Sequence, residues 1–185
     1  MKSTNKKEIV LNALLIAGMI GFAVAARVAP HPANFAPIAA LGMMGGYIFA
    51  NRKWGLSIVM VAMLLSDLVI GIESMELRLA VYGGLMISVF AGGLLRNKDN
   101  KKFFAGLPVA SLGSSIAFFV ISNLAVFAFS GMYTHSFSGL ALCYINAIPF
   151  FWNTLAGDLI YSGLLLGLVR MVQIYADKES MIPQA

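Results

Sequence analysis

Charge is scarce in this chain. Only 11% of its residues are Asp, Glu, Lys or Arg, and 59% are hydrophobic, with a mean hydropathy of +0.84. Soluble domains carry roughly 25% charged residues, so this balance excludes an ordinary soluble fold. Cysteine is nearly absent: Cys143 stands alone, which rules out a disulfide within the chain. Histidine occurs twice, as His31 and His135, and together with Cys143 it shows no zinc-ligand spacing. There is no phosphate-binding loop, no ATPase motif and no Gly-rich dinucleotide turn. Any active transport would therefore draw its energy from a partner or a gradient. The LGSS step at 112–115 lacks the strand-to-helix context of a nucleophile elbow, so its serines are read as helix-packing residues.

What the chain has instead is long apolar runs. They far exceed the ~10-residue alternating strands of a membrane barrel, so the expectation is an all-α integral membrane protein in one transmembrane domain, 1–185. Six spans are predicted, at about 9–28, 36–50, 55–72, 79–95, 106–130 and 146–171, the second being short for a full crossing. The first has the outline of a secretory signal, but its apolar part is longer than the usual ~7–15 residues, so it is read as a span. With six spans, eleven of the thirteen Lys and Arg residues fall on one side and only Arg27 and Arg78 on the other. Positive residues mark the cytoplasmic side, so both termini are expected there. The net charge of +5 sits in short clusters between spans and does not signal nucleic acid.

The predicted outer links hold the unusual residues. RVAPHPANFAPIAAL (27–41) carries three prolines with Arg27, His31, Asn34 and Phe35. GIESMELR (71–78) holds Glu73, Glu76 and Arg78, and GMYTHSFSGLALCY (131–144) holds Tyr133, His135, Cys143 and Tyr144. Two carboxylates, Asp67 and Asp158, fall inside spans. A buried carboxylate needs a partner or a wet cavity, and either a helix-to-helix tie, such as Asp67 with Arg27, or a ligand contact meets that need. Pro149 is expected in an early turn of span 6. Phe150, Phe151 and Trp152 form an interfacial aromatic belt, or Tyr144, Phe151 and Asn153 instead line a pocket. Ala13, Ala17 and Gly21 recur every four residues on span 1, a face suited either to packing within the bundle or to docking another helix.

The motifs HPANFAPIAAL (31–41), Ser66-Asp67, LGSSIAFFVISN (112–123) and CYINAIPFFWNTLAGDLIY (143–161) resemble an uncharacterised family of small bacterial membrane proteins across almost the whole chain. That family in turn resembles the substrate-binding S components of energy-coupling-factor (ECF) vitamin transporters. The resemblance implies six helices, cytoplasmic termini and capture of a vitamin or metal from outside. It also implies that the Ala13/Ala17/Gly21 face docks an ECF transmembrane coupling subunit, itself driven by ATPases. One similar branch carries cobalamin and ligates cobalt through an outer-side cysteine. Here the candidate cobalt ligands would be His31, His135 and Cys143, although the link after Asp67 has no cysteine.

The expected function is thus a binding subunit that takes a small molecule from the outer side, without catalysis and without a resident cofactor or metal. Its substrate-binding residues would be Arg27, His31, Asn34, Phe35, Asp67, Tyr144, Asn153 and Asp158. The rivals are a membrane enzyme that uses Asp67, Asp158 and a histidine on a lipid or cofactor precursor, and a structural protein with no ligand.

Overall fold

Polar breaks at Asn51, Ser74 and Asp99 each end one helix and cap the next. The computed structural model describes residues 6–71 and 74–180, and among these residues every regular element is a helix. They are α1 (Lys6–Val28), α2 (Ile38–Ile48), α3 (Arg52–Ile70), α4 (Met75–Leu95), α5 (Asn100–Phe129) and α6 (Phe137–Ser180). The side chains of Asn51, Ser74 and Asp99 accept from the backbone N–H of Lys53, Leu77 and Lys102, which opens α3, α4 and α5. Gly71 closes α3 at φ 114, a backbone position that glycine tolerates best. Five helices are long and apolar enough to cross a membrane, and α2 is the exception.

With 11 residues, α2 is only about 16 Å long at 1.5 Å per residue. It is nevertheless the centre of the protein: every residue from Ile38 to Tyr47 is buried, and α3, α4 and α6 pack around it. Small residues allow this. Gly42 and Gly46 of α2 face Ser88 and Val89 of α4, Gly92 of α4 faces Met43, and a Cβ on Gly46 or Gly92 would strike the backbone of Val89 or Met43 respectively. Such four-residue small spacing lets two helix backbones touch in an apolar medium, where dispersion and weak polar contacts drive association. The far end of α2 is closed by Arg96, whose Nε and Nη2 donate to the carbonyls of Tyr47 and Gly46. Those carbonyls have no helical partner, and a cation suits that end of the helix dipole. Arg170 of α6 joins this end through the Tyr47 hydroxyl, Asn100 and the Lys98 carbonyl. The Phe103 ring is packed between Tyr47 and the Arg170 guanidinium.

Several boundaries differ from the sequence expectation. α6 starts at Phe137, not near 146, so Cys143 and Tyr144 are helical and Pro149 lies well inside the helix. The apolar residues 139–145 continue the helical run, and the break is confined to 130–136, where Gly131 has φ 71. α4 begins at Met75, which places Arg78 on its first turn rather than in a link. Glu73, expected in that link, lies outside the described residues.

Asp99 is exposed, and its carboxyl lies below its ordinary value of 3.8, chiefly because it accepts from the Lys102 N–H. A lowered folded-state value means that ionised Asp99 favours the fold above its unfolded pKa, and that this is lost as pH falls through the folded pKa. Asp99→Ala is therefore expected to lower the detergent melting temperature at pH 7 and to change it less in strong acid. An equal loss at both pH values would count against the capping role.

Candidate functional site

At the end of the bundle opposite Arg96 and Arg170, four helices and the 29–37 link surround a polar cavity. Asp67, near the end of α3, is its hub. Its Oδ1 accepts from Arg27 Nη1 at 2.5 Å, and its Oδ2 accepts from the Tyr82 hydroxyl at 2.6 Å. Arg27 Nη1 also lies 2.5 Å from Ser66 Oγ, and Arg78 Nε stands 3.7 Å from Asp67 Oδ2. One buried carboxylate thus ties the ends of α1, α3 and α4, and it faces two guanidinium groups.

Three hollows adjoin there, of about 410, 120 and 180 Å³, and Asn34, Val81 and Phe118 line all three. The first is polar, with Arg27, Asp67, Arg78 and Tyr82. The second runs inward past His31 and Thr154 to Asp158. The third is walled by Phe119, Phe150 and Phe151, with Ser122 and Asn123. Asn34 overhangs the junction from a left-handed backbone position, φ 63, which Asn adopts more readily than most residues. Two larger hollows lie away from this chemistry. One of about 870 Å³ is an apolar trough between α4 and α5, with Arg52, Lys98 and Lys102 beside it. The other, of about 550 Å³, lies beside α1.

Asp158 is buried, and its Oδ2 accepts from Ser115 at 2.6 Å. One turn further along, Ser162 meets Ser111 at 2.6 Å. Residues four apart on two antiparallel helices make a two-rung polar ladder between α5 and α6. Among the described residues no cation lies within ion-pair distance of Asp158.

The structure brings Arg27, His31, Asn34, Asp67 and Asp158 to these hollows and leaves the other expected residues outside them. Phe35 packs on Gly157 and, with ring centroids 5.5 Å apart, on Tyr161. Asn153 holds the link by donating to the Ala33 carbonyl at 3.0 Å. Tyr144 donates to the Val120 carbonyl and packs its ring on the back of Phe119. The three candidate cobalt ligands do not converge, and among the described residues no three His, Cys, Asp or Glu gather at a metal-sized site. Cys143 is buried against the Asn123 carbonyl, and His135 packs on Phe127. Both ring nitrogens of His31 stand opposite carbonyls, those of Pro32 and Arg27. Sequence reasoning passes over Tyr82 and Phe118 as ligand-facing or tying groups, whereas Ser115, read as a helix-packing serine, does tie α5 to α6. The four-residue spacing of Ser111 with Ser115 and of Asp158 with Ser162 is the readable signal for Ser115; an isolated Tyr or Phe in an apolar span offers none.

The family of unknown function DUF6580 matches residues 7–181. The chain belongs to this family. No curated protein and no solved structure matches it. For this DUF6580 member the small-residue face of α1 is also informative. Ala13, Ala17 and Gly21 are exposed, and a Cβ on Gly21 would meet nothing within 4 Å. Among the described residues of α1 only Met19 and Ala23 are buried, while Ala13 and Ala17 line the hollow of about 550 Å³ that α1 shares with Phe49 and Trp54.

Proposed function

We propose that this DUF6580 protein is the substrate-binding membrane subunit of an uptake transporter for a vitamin or similar micronutrient, built on the plan of ECF S components. The observation that carries this reading is the branched cavity at the Asp67 end of the bundle. It combines convergent charged and amide groups with an aromatic chamber, the composition expected of a small-molecule site.

In this reading all six helices cross a bacterial cytoplasmic membrane, with the 29–37 link completing the short path of α2. The cavity opens outward. The cations Arg52, Arg96, Lys98, Lys102 and Arg170 gather at the other end, which supports a cytoplasmic position for that end and for both termini. The link and the start of α4 would close over a bound molecule. The bare Ala13/Ala17/Gly21 face would dock a transmembrane coupling subunit, and its ATPases would drive release. Cobalamin is not favoured among the substrates, because Cys143 and His135 lie outside the cavity and His31 would have to give up a carbonyl contact to reach a metal. An acid–base enzyme is also less favoured, since both oxygens of Asp67 are engaged and Asp158 lines a separate hollow.

Protein purified in mild detergent is expected to carry a small organic molecule at close to one per chain, detectable by mass. Arg27→Ala and Asp158→Asn are expected to reduce its retention at least several-fold. If no molecule co-purifies and a vitamin panel leaves the melting temperature unchanged, the binding reading fails.

A further inference from the structure

Arg78 is the least explained group in the cavity. Its side chain is 14% exposed, and its Nε and Nη2 are buried without a hydrogen-bond partner among the described residues. Asp67 Oδ2, 3.7 Å from Nε, is too distant for a hydrogen bond and already receives the Tyr82 hydroxyl. The other Asp67 oxygen is held by Arg27. Among the described residues, the polar hollow therefore sets two guanidiniums against one carboxylate whose oxygens are both in use. Asp158 does not redress this: it lines the neighbouring hollow, and its Oδ2 is held by Ser115. A buried cation with unmet donors is costly unless an anion completes it. Moreover, Nε and Nη2 carry the parallel N–H pair of the guanidinium, the fork that grips both oxygens of a carboxylate or phosphate. The adjoining chamber has the opposite character. Phe118, Phe119, Phe150 and Phe151 line it, with the Phe119 and Phe151 rings 5.0 Å apart.

We propose that the ligand of this cavity is an amphipathic organic anion, with its carboxylate or phosphate at Arg78 and its aromatic or apolar body against Phe118, Phe119 and Phe151. This rests on the binding reading above and narrows it. Entry of the anion turns the Arg78 fork from the wall into the hollow and leaves the Arg27–Asp67 tie intact.

The test uses four probes of nearly one shape on the full chain in detergent: 2-naphthoate, 2-naphthyl phosphate, 2-naphthylmethanol and 2-naphthylmethylamine. Saturable binding is measured by calorimetry against empty micelles. At least one of the two anions is expected to bind at least ten-fold tighter than the alcohol and the amine, and the better anion identifies the head group. Arg78→Gln is expected to erase that preference and Arg78→Lys to keep part of it, because lysine retains the charge but not the fork. The comparison on unaltered protein stands even if a variant does not fold. Equal or tighter binding of the alcohol or amine overturns the anion assignment while leaving a binding protein; no binding of any probe, with no co-purified molecule, removes the binding reading itself. Glu73→Gln completes the set. Unchanged anion affinity supports an open Arg78, and a ten-fold gain shows that Glu73 occupies it and overturns the assignment. Displacement of bound naphthoate by phosphatidylglycerol but not by phosphatidylcholine would identify a lipid head group and overturn the soluble-ligand assignment.

Discussion

Gly92→Ala is expected to leave little folded protein, whereas Gly83→Ala, on the same helix, should be neutral or slightly stabilising. A Cβ on Gly92 would collide with the Met43 backbone, while one on Gly83 meets nothing within 4 Å. No side chain can rotate to relieve the first clash, so α4 must move off α2. Overpacking alone costs about 1–3 kcal/mol, and parting the two backbones also forfeits the dispersion attraction along the seam. Gly83→Ala removes a flexible residue from a helix and should contribute roughly 0.5–1 kcal/mol in favour of the fold. Opposite shifts in detergent melting temperature would confirm the seam. If Gly92→Ala melts with the parent protein, the α2–α4 approach described above is wrong. Because Ile38–Tyr47 is wholly buried, this one contact controls the placement of the helix on which α3, α4 and α6 converge.

The second large effect is expected at Asp67. Asp67→Ala removes the acceptor of Arg27 and Tyr82 and the nearby counter-charge of Arg78. Breaking a buried pair by deleting one partner typically costs about 3–5 kcal/mol, because the surviving charge is stranded. Here two guanidiniums would be stranded together. The double variant Arg27→Met/Asp67→Leu should recover part of the loss, since an apolar pair strands one fewer cation. The expected order of melting temperatures is therefore parent, then double variant, then Asp67→Ala. A double variant no more stable than the single one would mean that the tie acts through Tyr82 or Ser66 rather than through charge.

The parts of this arrangement that can be read in advance are those set by composition and charge. The long apolar runs identify helices, and an Arg at the end of one span with an Asp near the end of another suggests their meeting. Boundaries are harder. Residues 137–145 read as part of the link that holds Tyr133, His135 and Cys143, yet such side chains do not break a helix; the break needs Gly131 and the short polar run around it. Pro149 misleads in the same way. Taken as a sign of a helix start, it lies inside α6, where a tertiary scaffold tolerates the missing N–H. Tyr144, Phe35 and Asn153 are plausible cavity residues by type, but which way a side chain points depends on helix rotation, and apolar periodicity is weak in helices that are apolar all round. The bare face of α1 is ambiguous for the same reason: spacing shows that small residues align, not what they align against.

The prolines of the 29–37 link have a further meaning. A non-helical stretch is hard to keep in a dry environment because each backbone N–H and C=O there must find a mate. Pro30, Pro32 and Pro37 have no N–H to satisfy. Of the amides that remain, those of Ala29 and Phe35 bond to backbone carbonyls, while the Arg27, Pro32 and Ala33 carbonyls face His31 and Asn153. The link thus meets part of its own backbone demand. Proline acts here by subtraction, sparing an unwound segment beside the polar cavity three donors that lipid could never match.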